Sequence, residues 1–180
     1  RSEAGLEKLR HEIGSAGGRV VIVRGDLSTR AGARDVARLS GEIDVLVNNA
    51  ALVAGKHQSL LVADDQAWDL EFAINLTAPI TLMQALVPGM VERGGGVVIN
   101  ISSIAVRRPN PMHAAYAAAK AALETATRAA AVDLGPKGVR LNAVALGMTA
   151  TEAWDDLLPS GVTLVEMARE KLGDRCRITH

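Results

Sequence analysis

The sequence has little of what would tie it to an oxidising compartment, a membrane or a polyanion. Its 180 residues include one cysteine, one tyrosine and one phenylalanine. The lone Cys176 leaves no partner for a disulfide within the chain, and it fits a reducing compartment. Twenty basic residues balance twenty acidic ones. Because no net charge results, we expect neither nucleic acid nor an anionic membrane surface as a partner.

Long apolar runs are also missing. No stretch approaches the roughly 20 apolar residues that a membrane-spanning helix needs, and the polar start Arg1-Ser2-Glu3 is unlike a signal peptide. We therefore expect a cytoplasmic protein. With 48% hydrophobic residues, the chain is expected to form a single globular domain over residues 1–180.

Short apolar segments alternate with longer amphipathic ones. Four nearly all-apolar segments predict strands: Val20–Val23, Ile43–Val47, Val97–Ile101 and Val139–Val144. Strands that helices cover on both faces have this composition. The alternation therefore favours an α/β fold with a doubly wound, mostly parallel sheet.

Helices are predicted between these strands. A first helix ends near Gly14, and a second is capped by Ser28 and runs to about Leu39. One or two more lie within Asp64–Arg93, and an alanine-rich helix covers about His113–Leu134.

The pattern weakens after Gly147. Thr149–Leu158 is followed by Pro159-Ser160-Gly161 and by a predicted helix over Leu164–Leu172. A substrate lid and a surface helical hairpin fit this segment equally well.

The only tyrosine, Tyr116, precedes Lys120 by four residues in the alanine-rich helix. Positions i and i+4 share a helix face, so the phenol and the ammonium are expected to be neighbours. A nearby cation stabilises the phenolate and pulls the tyrosine pKa from about 10 toward neutrality. Such a pair can pass a proton to or from a substrate oxygen, although a Tyr-x-x-x-Lys match alone is more often a solvated helix face.

A pair of serines stands at the carboxyl end of the third predicted strand. Val97–Ile101 ends in Ser102-Ser103, and Ser103 lies thirteen residues before Tyr116. Ligands of open α/β sheets bind at the carboxyl ends of strands, so Ser103 is a candidate site residue. A serine in this position is also commonly a helix cap or part of a turn.

Several motifs in one order resemble a known family. The run Asn100-Ile101-Ser102-Ser103, followed by Tyr116-Ala117-Ala118-Ala119-Lys120, resembles the active-site signature of the short-chain dehydrogenase/reductase family. Asp26-Leu27, Asn48-Asn49-Ala50-Ala51 and the Asn75 of Ile74-Asn75-Leu76 match further family motifs. The resemblance implies a Rossmann-like, three-layer α/β/α fold, incomplete at both ends. It also implies an NAD(P)-dependent oxidoreductase that interconverts a ketone and a secondary alcohol by hydride transfer.

The resemblance assigns catalytic roles to four residues. It implies that Tyr116 is the general acid or base, and that Lys120 lowers the tyrosine pKa and holds the nicotinamide ribose. Ser103 would bind the substrate oxygen, and Asn75 would organise a water chain from Lys120 to solvent.

The resemblance also implies a cofactor and partners. Beside Tyr116 and Lys120, the residues that match its cofactor-binding positions are Arg1, Asp26, Leu27, Asn48, Ala50, Ala51, Gly147, Thr149 and Thr151. The cofactor would be NADP or NAD, with Arg1 favouring the 2′-phosphate of NADP, and no metal is expected. The expected substrate is a small carbonyl compound or alcohol. The expected assembly is a homodimer or homotetramer built on the helices of Asp64–Arg93 and His113–Leu134.

The sequence departs from the family pattern in three places. Leu146 stands where the family has proline, and Ala51 where it has glycine; an alanine at a positive φ would cost about 1 kcal/mol or more. The motif Thr-Gly-x-x-x-Gly-x-Gly, which would cradle the pyrophosphate, does not occur. We therefore expect the sequence to be the central and carboxyl-terminal portion of a longer chain. Strands supplied from elsewhere, or a sheet that closes differently, are the alternatives.

Two other functions compete with the enzyme hypothesis. One is a catalytically silent module that keeps the fold for binding or oligomerisation, but Asn75, Ser103, Tyr116 and Lys120 would serve no purpose there. The other is a serine hydrolase built on Ser103, which the lack of any Gly-x-Ser-x-Gly motif disfavours.

Overall fold

The structure, a computed structural model, describes residues 3–53, 59–147, 149, 163 and 166. The helices are α1 (Glu3–Ser15), α2 (Arg30–Ser40), α3 (Asp65–Phe72), α4 (Ala78–Glu92) and α5 (Ala114–Leu134). The strands are β1 (Val45–Asn48), β2 (Gly96–Ser103) and β3 (Val139–Leu146). A π-helical turn, Ala73–Thr77, joins α3 to α4.

The three strands form one parallel sheet in the order β1-β2-β3. Leu46 lies opposite Val98, and Val98 lies opposite Leu141. Three of the four predicted strands and the parallel arrangement are therefore confirmed, with bounds that differ by up to two residues at each end.

The two faces of this sheet differ. Side chains alternate between faces along each strand, and the register places Leu46, Asn48, Val98, Asn100, Ser102 and Leu141 on one face. We call it the helix-covered face, because α4 and α5 pack against β2 and β3. The opposite face, here the open face, carries Val45, Val47, Val97, Ile99 and Val144. Val98 is fully buried, whereas Val45 is 53% exposed.

The hydrophobic core lies between the helix-covered face and α4. Leu82, Met90 and Val98 are buried there, and α2 packs against α4 through the buried Ala33 and Ala37. Full burial of a side chain such as Leu, Val or Met stabilises the fold by about 1.5–3 kcal/mol. This packing fixes α4 and α5 on the sheet and so fixes the residues they carry.

The remaining strand prediction, Val20–Val23, is wrong. These residues are not a strand, and Val21 is 85% exposed. A strand is stable only when a neighbouring strand takes up its backbone hydrogen bonds, and the described sheet begins at β1. Nearby Arg24 forms an ion pair with Glu3 of α1 instead.

The helix predictions hold more closely. The helices predicted before Gly14, between Ser28 and Leu39, and over His113–Leu134 correspond to α1, α2 and α5. The cap of α2 is Thr29 rather than Ser28, since Thr29 Oγ1 accepts a hydrogen bond from Gly32 N at 3.0 Å. The Ser28 N–H instead donates to Asp26 Oδ1 at 2.8 Å.

The span from α3 to α4 has an unexpected property. The helical span Asp65–Glu92 has 28 residues and a mean hydropathy of 1.4 in its most apolar window, which is long and apolar enough to cross a membrane. This is weak support for a membrane helix, since core helices of soluble proteins pass the same test. Asn75 and Thr81 are buried within the span, and Leu82 and Met90 belong to the core.

Candidate active site

The candidate site lies at the carboxyl edge of the sheet. The strands β1, β2 and β3 end at Asn48, Ser103 and Leu146, and because they are parallel these ends share one edge. Ligands of open α/β sheets bind at such an edge. Three motifs that are far apart in the sequence therefore converge.

Helix α5 brings Tyr116 and Lys120 to this edge. The Lys120 Nζ lies 5.8 Å from the centroid of the Tyr116 ring. Only 1% of Lys120 is exposed, and its Nζ donates a hydrogen bond to the Ile101 carbonyl of β2 at 2.7 Å. The prediction that the phenol and the ammonium are neighbours is confirmed, and the ammonium also ties α5 to β2.

Ser103 has both of the roles that its position in the sequence allows, a cap and a candidate site residue. Its Oγ accepts a hydrogen bond from Ala105 N at 3.2 Å and so caps the short 3-10 helix Ile104–Val106. The same side chain interacts with the Tyr116 hydroxyl in a way that favours the phenolate. A turn cap and a candidate site residue are therefore the same serine.

The pKa of Tyr116 does not follow the expectation. Burial raises this pKa above its ordinary value of 10.0, the interaction with Ser103 lowers it, and the negative charge of Glu71 raises it again. Burial also lowers the pKa of Lys120 from 10.5 to about 8. The predicted shift of Tyr116 toward neutrality is thus wrong for this structure, because burial penalises the charged form of each partner.

The Asn75 side chain is hydrogen-bonded to the segment that follows β1. Its Nδ2 donates to the Leu52 carbonyl at 2.6 Å, and its Oδ1 accepts from Leu52 N at 3.0 Å. It lies within the π-helical turn Ala73–Thr77 and is fully buried; such turns interrupt the regular helix and are frequent at functional sites. The amide thus holds the loop after Asn48-Asn49-Ala50-Ala51 in place. The predicted water chain stays a prediction.

The Asn48 side chain points into the protein rather than along the edge. Its Nδ2 donates to Asn100 Oδ1 at 2.7 Å, and Asn100 Nδ2 donates to Thr127 Oγ1 of α5 at 2.8 Å. Thr127 Oγ1 in turn donates to the Leu123 carbonyl at 2.7 Å. These buried side chains link β1, β2 and α5 beneath the site, so only the backbone of Asn48 lies at the predicted cofactor edge.

Small residues line the edge beside these side chains. Ala50, Ala51 and Gly147 are exposed, and Thr149 is half-buried. No residue other than glycine has a positive φ among those described, so Ala51 is accommodated without backbone strain. A Cβ added to Gly147 would meet no atom of the described residues within 4 Å. A ligand could therefore approach the backbone closely at these positions.

Two other predicted cofactor residues, Asp26 and Leu27, lie in the loop before α2. Asp26 lies exposed in the loop before α2, where hydrogen bonds from Ser28 lower the pKa of its carboxyl. Leu27 packs against the hydrophobic core. Arg1, Thr151 and Cys176 lie outside the described residues.

Of the segment after Gly147, which fits a lid or a surface helical hairpin, Thr149, Thr163 and Glu166 are described. Thr163 Oγ1 accepts from Glu166 N at 3.2 Å, and Glu166 Oε2 accepts from Thr163 N at 2.8 Å. This reciprocal pair is a capping box, which marks the start of a helix. Of the predicted helix Leu164–Leu172 only Glu166 is described, and of Thr149–Leu158 only Thr149, so the helix stays a prediction.

Two buried carboxylates were missed by the sequence analysis. Glu71 of α3 is 4% exposed and acts on Tyr116 through its charge. Glu124 of α5 is 6% exposed, and its Oε1 accepts from Ser102 Oγ at 2.7 Å. Glu124 follows Lys120 by four residues, so the i, i+4 rule that paired Tyr116 with Lys120 could have found it.

Comparison with known proteins decides the family. A family model described as short chain dehydrogenase matches residues 1–160. The chain belongs to the short-chain dehydrogenase family.

Two curated proteins are among those that resemble the chain. It is 40% identical over 114 residues to the human protein named Dehydrogenase/reductase SDR family member 4, which covers 63% of this chain and 41% of that protein. It is 40% identical over 121 residues to L-xylulose reductase of Bos taurus, which covers 64% of this chain and 49% of that enzyme. The chain thus spans less than half the length of these curated relatives.

A solved structure of the family has the same fold. The crystal structure of L-sorbose reductase from Gluconobacter frateurii, complexed with NADPH and L-sorbose, superposes with a TM-score of 0.81 at 28% identity. The match covers 97% of this chain and 65% of that one. The predicted Rossmann-like α/β class is confirmed.

Proposed function

We propose that this chain provides the catalytic portion of an NAD(P)-dependent oxidoreductase that interconverts a ketone and a secondary alcohol. The observation that carries the proposal is the placement of Tyr116 at the carboxyl edge of the sheet, with Ser103 on one side and the Lys120 ammonium 5.8 Å from its ring. A phenol between a hydroxyl and an ammonium is suited to exchanging a proton with a substrate oxygen.

The residues present fit a nicotinamide nucleotide. The Lys120 ammonium has three N–H donors, and the bond to the Ile101 carbonyl takes one of them. The other two suit the hydroxyl pair of a ribose, and a buried ammonium gains by such bonds because desolvation otherwise destabilises it. Ala50, Ala51 and Gly147 leave the edge beside it open to a flat ring or a sugar. When bound, the nicotinamide gives or accepts the hydride.

The cofactor preference rests on a single residue. We propose NADP or NAD, with Arg1 favouring NADP because a guanidinium pairs well with a phosphate. The related L-sorbose reductase was solved with NADPH. Within this chain, the remaining proposed cofactor contacts are Asp26, Leu27, Asn48, Thr149 and Thr151.

The proposed chemistry in the direction of reduction begins at the Tyr116 hydroxyl. Its raised pKa keeps the phenol protonated, so it is ready to donate a proton to the carbonyl oxygen. Ser103 Oγ donates a hydrogen bond to the same oxygen and stabilises the charge that develops there. The Lys120 ammonium then stabilises the phenolate that remains, and in the direction of oxidation the phenolate takes the proton back.

The exposed surface of α5 suits contact with a second subunit. We propose a small carbonyl or alcohol substrate, a cytoplasmic location, and a homodimer or homotetramer built on α4 and α5. In α5 the exposed positions include Ala118, Ala129 and Val132, and Val132 is 79% exposed. Short side chains on that surface allow a second helix to approach closely.

Replacing Tyr116 with Phe tests the proposal in the protein that carries this chain. We expect Tyr116→Phe to lower kcat by about 10²–10⁴-fold, the usual contribution of a general acid, with NADPH affinity nearly unchanged. Steady-state kinetics and quenching of nicotinamide fluorescence measure the two quantities. Thr125→Ala, at an exposed position of the same helix, is the control and should keep full turnover.

Two outcomes would overturn the proposed function. Retained turnover in Tyr116→Phe would remove the tyrosine from the mechanism. If neither NADPH nor NADH raised the melting temperature of the unmodified protein, the silent binding module would be favoured, since a bound cofactor at 100 times its Kd stabilises a fold by about 2.7 kcal/mol.

A further inference from the structure

Two separate elements supply the proposed catalytic groups. Ser103 ends β2, whereas Tyr116 and Lys120 belong to α5. The distance between the serine and the tyrosine hydroxyls therefore depends on how the end of β2 is held against the helix. Below the Lys120 bond to Ile101, a second tie between these elements is made by Glu124.

Glu124 lies on α5 two turns beyond Tyr116, and its side chain is 7% exposed. Its Oε1 accepts a hydrogen bond from Ser102 Oγ at 2.7 Å. Ser102 is 2% exposed and directly precedes Ser103 in the chain. A short bond to a carboxylate, made away from water, is among the stronger hydrogen bonds in proteins.

The same carboxylate also holds the chain beyond Ser103. Arg107 follows the 3-10 helix that Ser103 caps, and its guanidinium lies 3.4 Å from Glu124 Oε1. Arg128 of α5 lies 3.7 Å from the other oxygen, Oε2. These partners offset the free-energy cost of burying the Glu124 carboxylate. Ser103 thus lies in a segment that Glu124 holds at both ends.

We propose that Glu124 is a positioning residue that keeps Ser103 in register with Tyr116. The inference deepens the proposed function and rests on it. A glutamine in place of Glu124 can still accept from Ser102, but it loses the ionic attraction to Arg107, which is 58% exposed and is otherwise drawn toward water. The turn carrying Ser103 would then shift, and a misplacement of about 1 Å can cost about 100-fold in rate.

Double-mutant kinetics separate this role from a general loss of structure. We expect Glu124→Gln to lower kcat by about tenfold or more, with the KM for the cofactor unchanged. Because Glu124 acts through Ser103, the same substitution in a Ser103→Ala background should change kcat by less than about twofold. Arg107→Ala should reproduce the loss and should not add to it. Glu92→Gln, an exposed glutamate at the end of α4, is the matched control and should behave like the unmodified protein.

Each other outcome has a defined meaning. Equal losses from Glu124→Gln with and without Ser103, or no loss at all, would overturn the positioning role. If Ser103→Ala alone left kcat unchanged, the proposed function would lose its use of Ser103, which is a separate failure. Should Glu124→Gln not fold, Glu124→Asp keeps the charge but draws it back from Ser102. It should then show the same loss of kcat and the same dependence on Ser103, and independence from Ser103 would overturn the proposal.

Discussion

The two faces of the sheet use the same three strands in opposite ways. On the helix-covered face, Asn48, Asn100 and Ser102 are buried and hydrogen-bonded to one another or to α5. On the open face the side chains are mainly valine and isoleucine, yet Val45 and Val47 are about half exposed. The comparison shows that buried polar hydrogen bonds join the helix-covered face to α5 beneath the site, whereas the apolar side chains of the open face stay partly exposed.

The largest effect is expected where the polar bonds of the helix-covered face cross. Asn100→Ala would leave the Asn48 amide without its acceptor and open a cavity, so it should lower the free energy of unfolding by about 3–5 kcal/mol. Asn142→Ala, on the open face of the same sheet and exposed, should change it by less than about 0.5 kcal/mol. Denaturant unfolding measures both, and similar losses would break the comparison.

A smaller effect is expected from the charge buried beside that face. Folding lowers the pKa of Lys120 from 10.5 to about 8, so between these values the unfolded chain binds a proton that the folded chain has released. The free energy of unfolding should therefore rise with pH across this window, by about 3 kcal/mol in total.

Lys120→Met isolates this contribution. The variant should lack the rise, whereas Lys137→Met, which changes a half-exposed lysine, should retain it. Denaturant unfolding at several pH values provides the measurement. A rise that persists in Lys120→Met would show that burial of this ammonium carries no such cost.

The smallest effect is expected from replacing one valine on each face with threonine. Val98→Thr places a hydroxyl where the side chain is fully buried, and it should cost about 1–3 kcal/mol. Val45→Thr makes the same change at a position that is 53% exposed, and it should cost less than about 0.5 kcal/mol. Both substitutions keep a β-branched side chain, so strand propensity is matched. Equal shifts of the melting temperature would mean that the open face is as well buried as the other.

Local pattern was enough to predict most of the fold. The β-branched runs of β1, β2 and β3 and the alanine-rich α5 carry their own signals, and the structure confirms each of them. Val20–Val23 has the same composition but is not a strand. The reason is that strand formation depends on a neighbour, and no local pattern reports whether a neighbour is there.

The candidate site was predictable where spacing along one element decides geometry. Tyr116 and Lys120 share a helix face by their spacing alone. The direction of the tyrosine pKa was not predictable, because burial and Glu71 of a different helix set it. Glu124 is an intermediate case, since its spacing from Lys120 is visible in the sequence whereas its bonds to Ser102 and Arg107 arise only in the folded chain.

The single tyrosine has a practical consequence. Because Tyr116 is the only phenol in this chain, any tyrosinate absorbance that develops on raising the pH of the folded chain comes from the site itself. An optical titration can therefore follow the proposed proton donor directly, with no isotope or label. The two tryptophans do not ionise in that range, so the difference spectrum reports one chemical group.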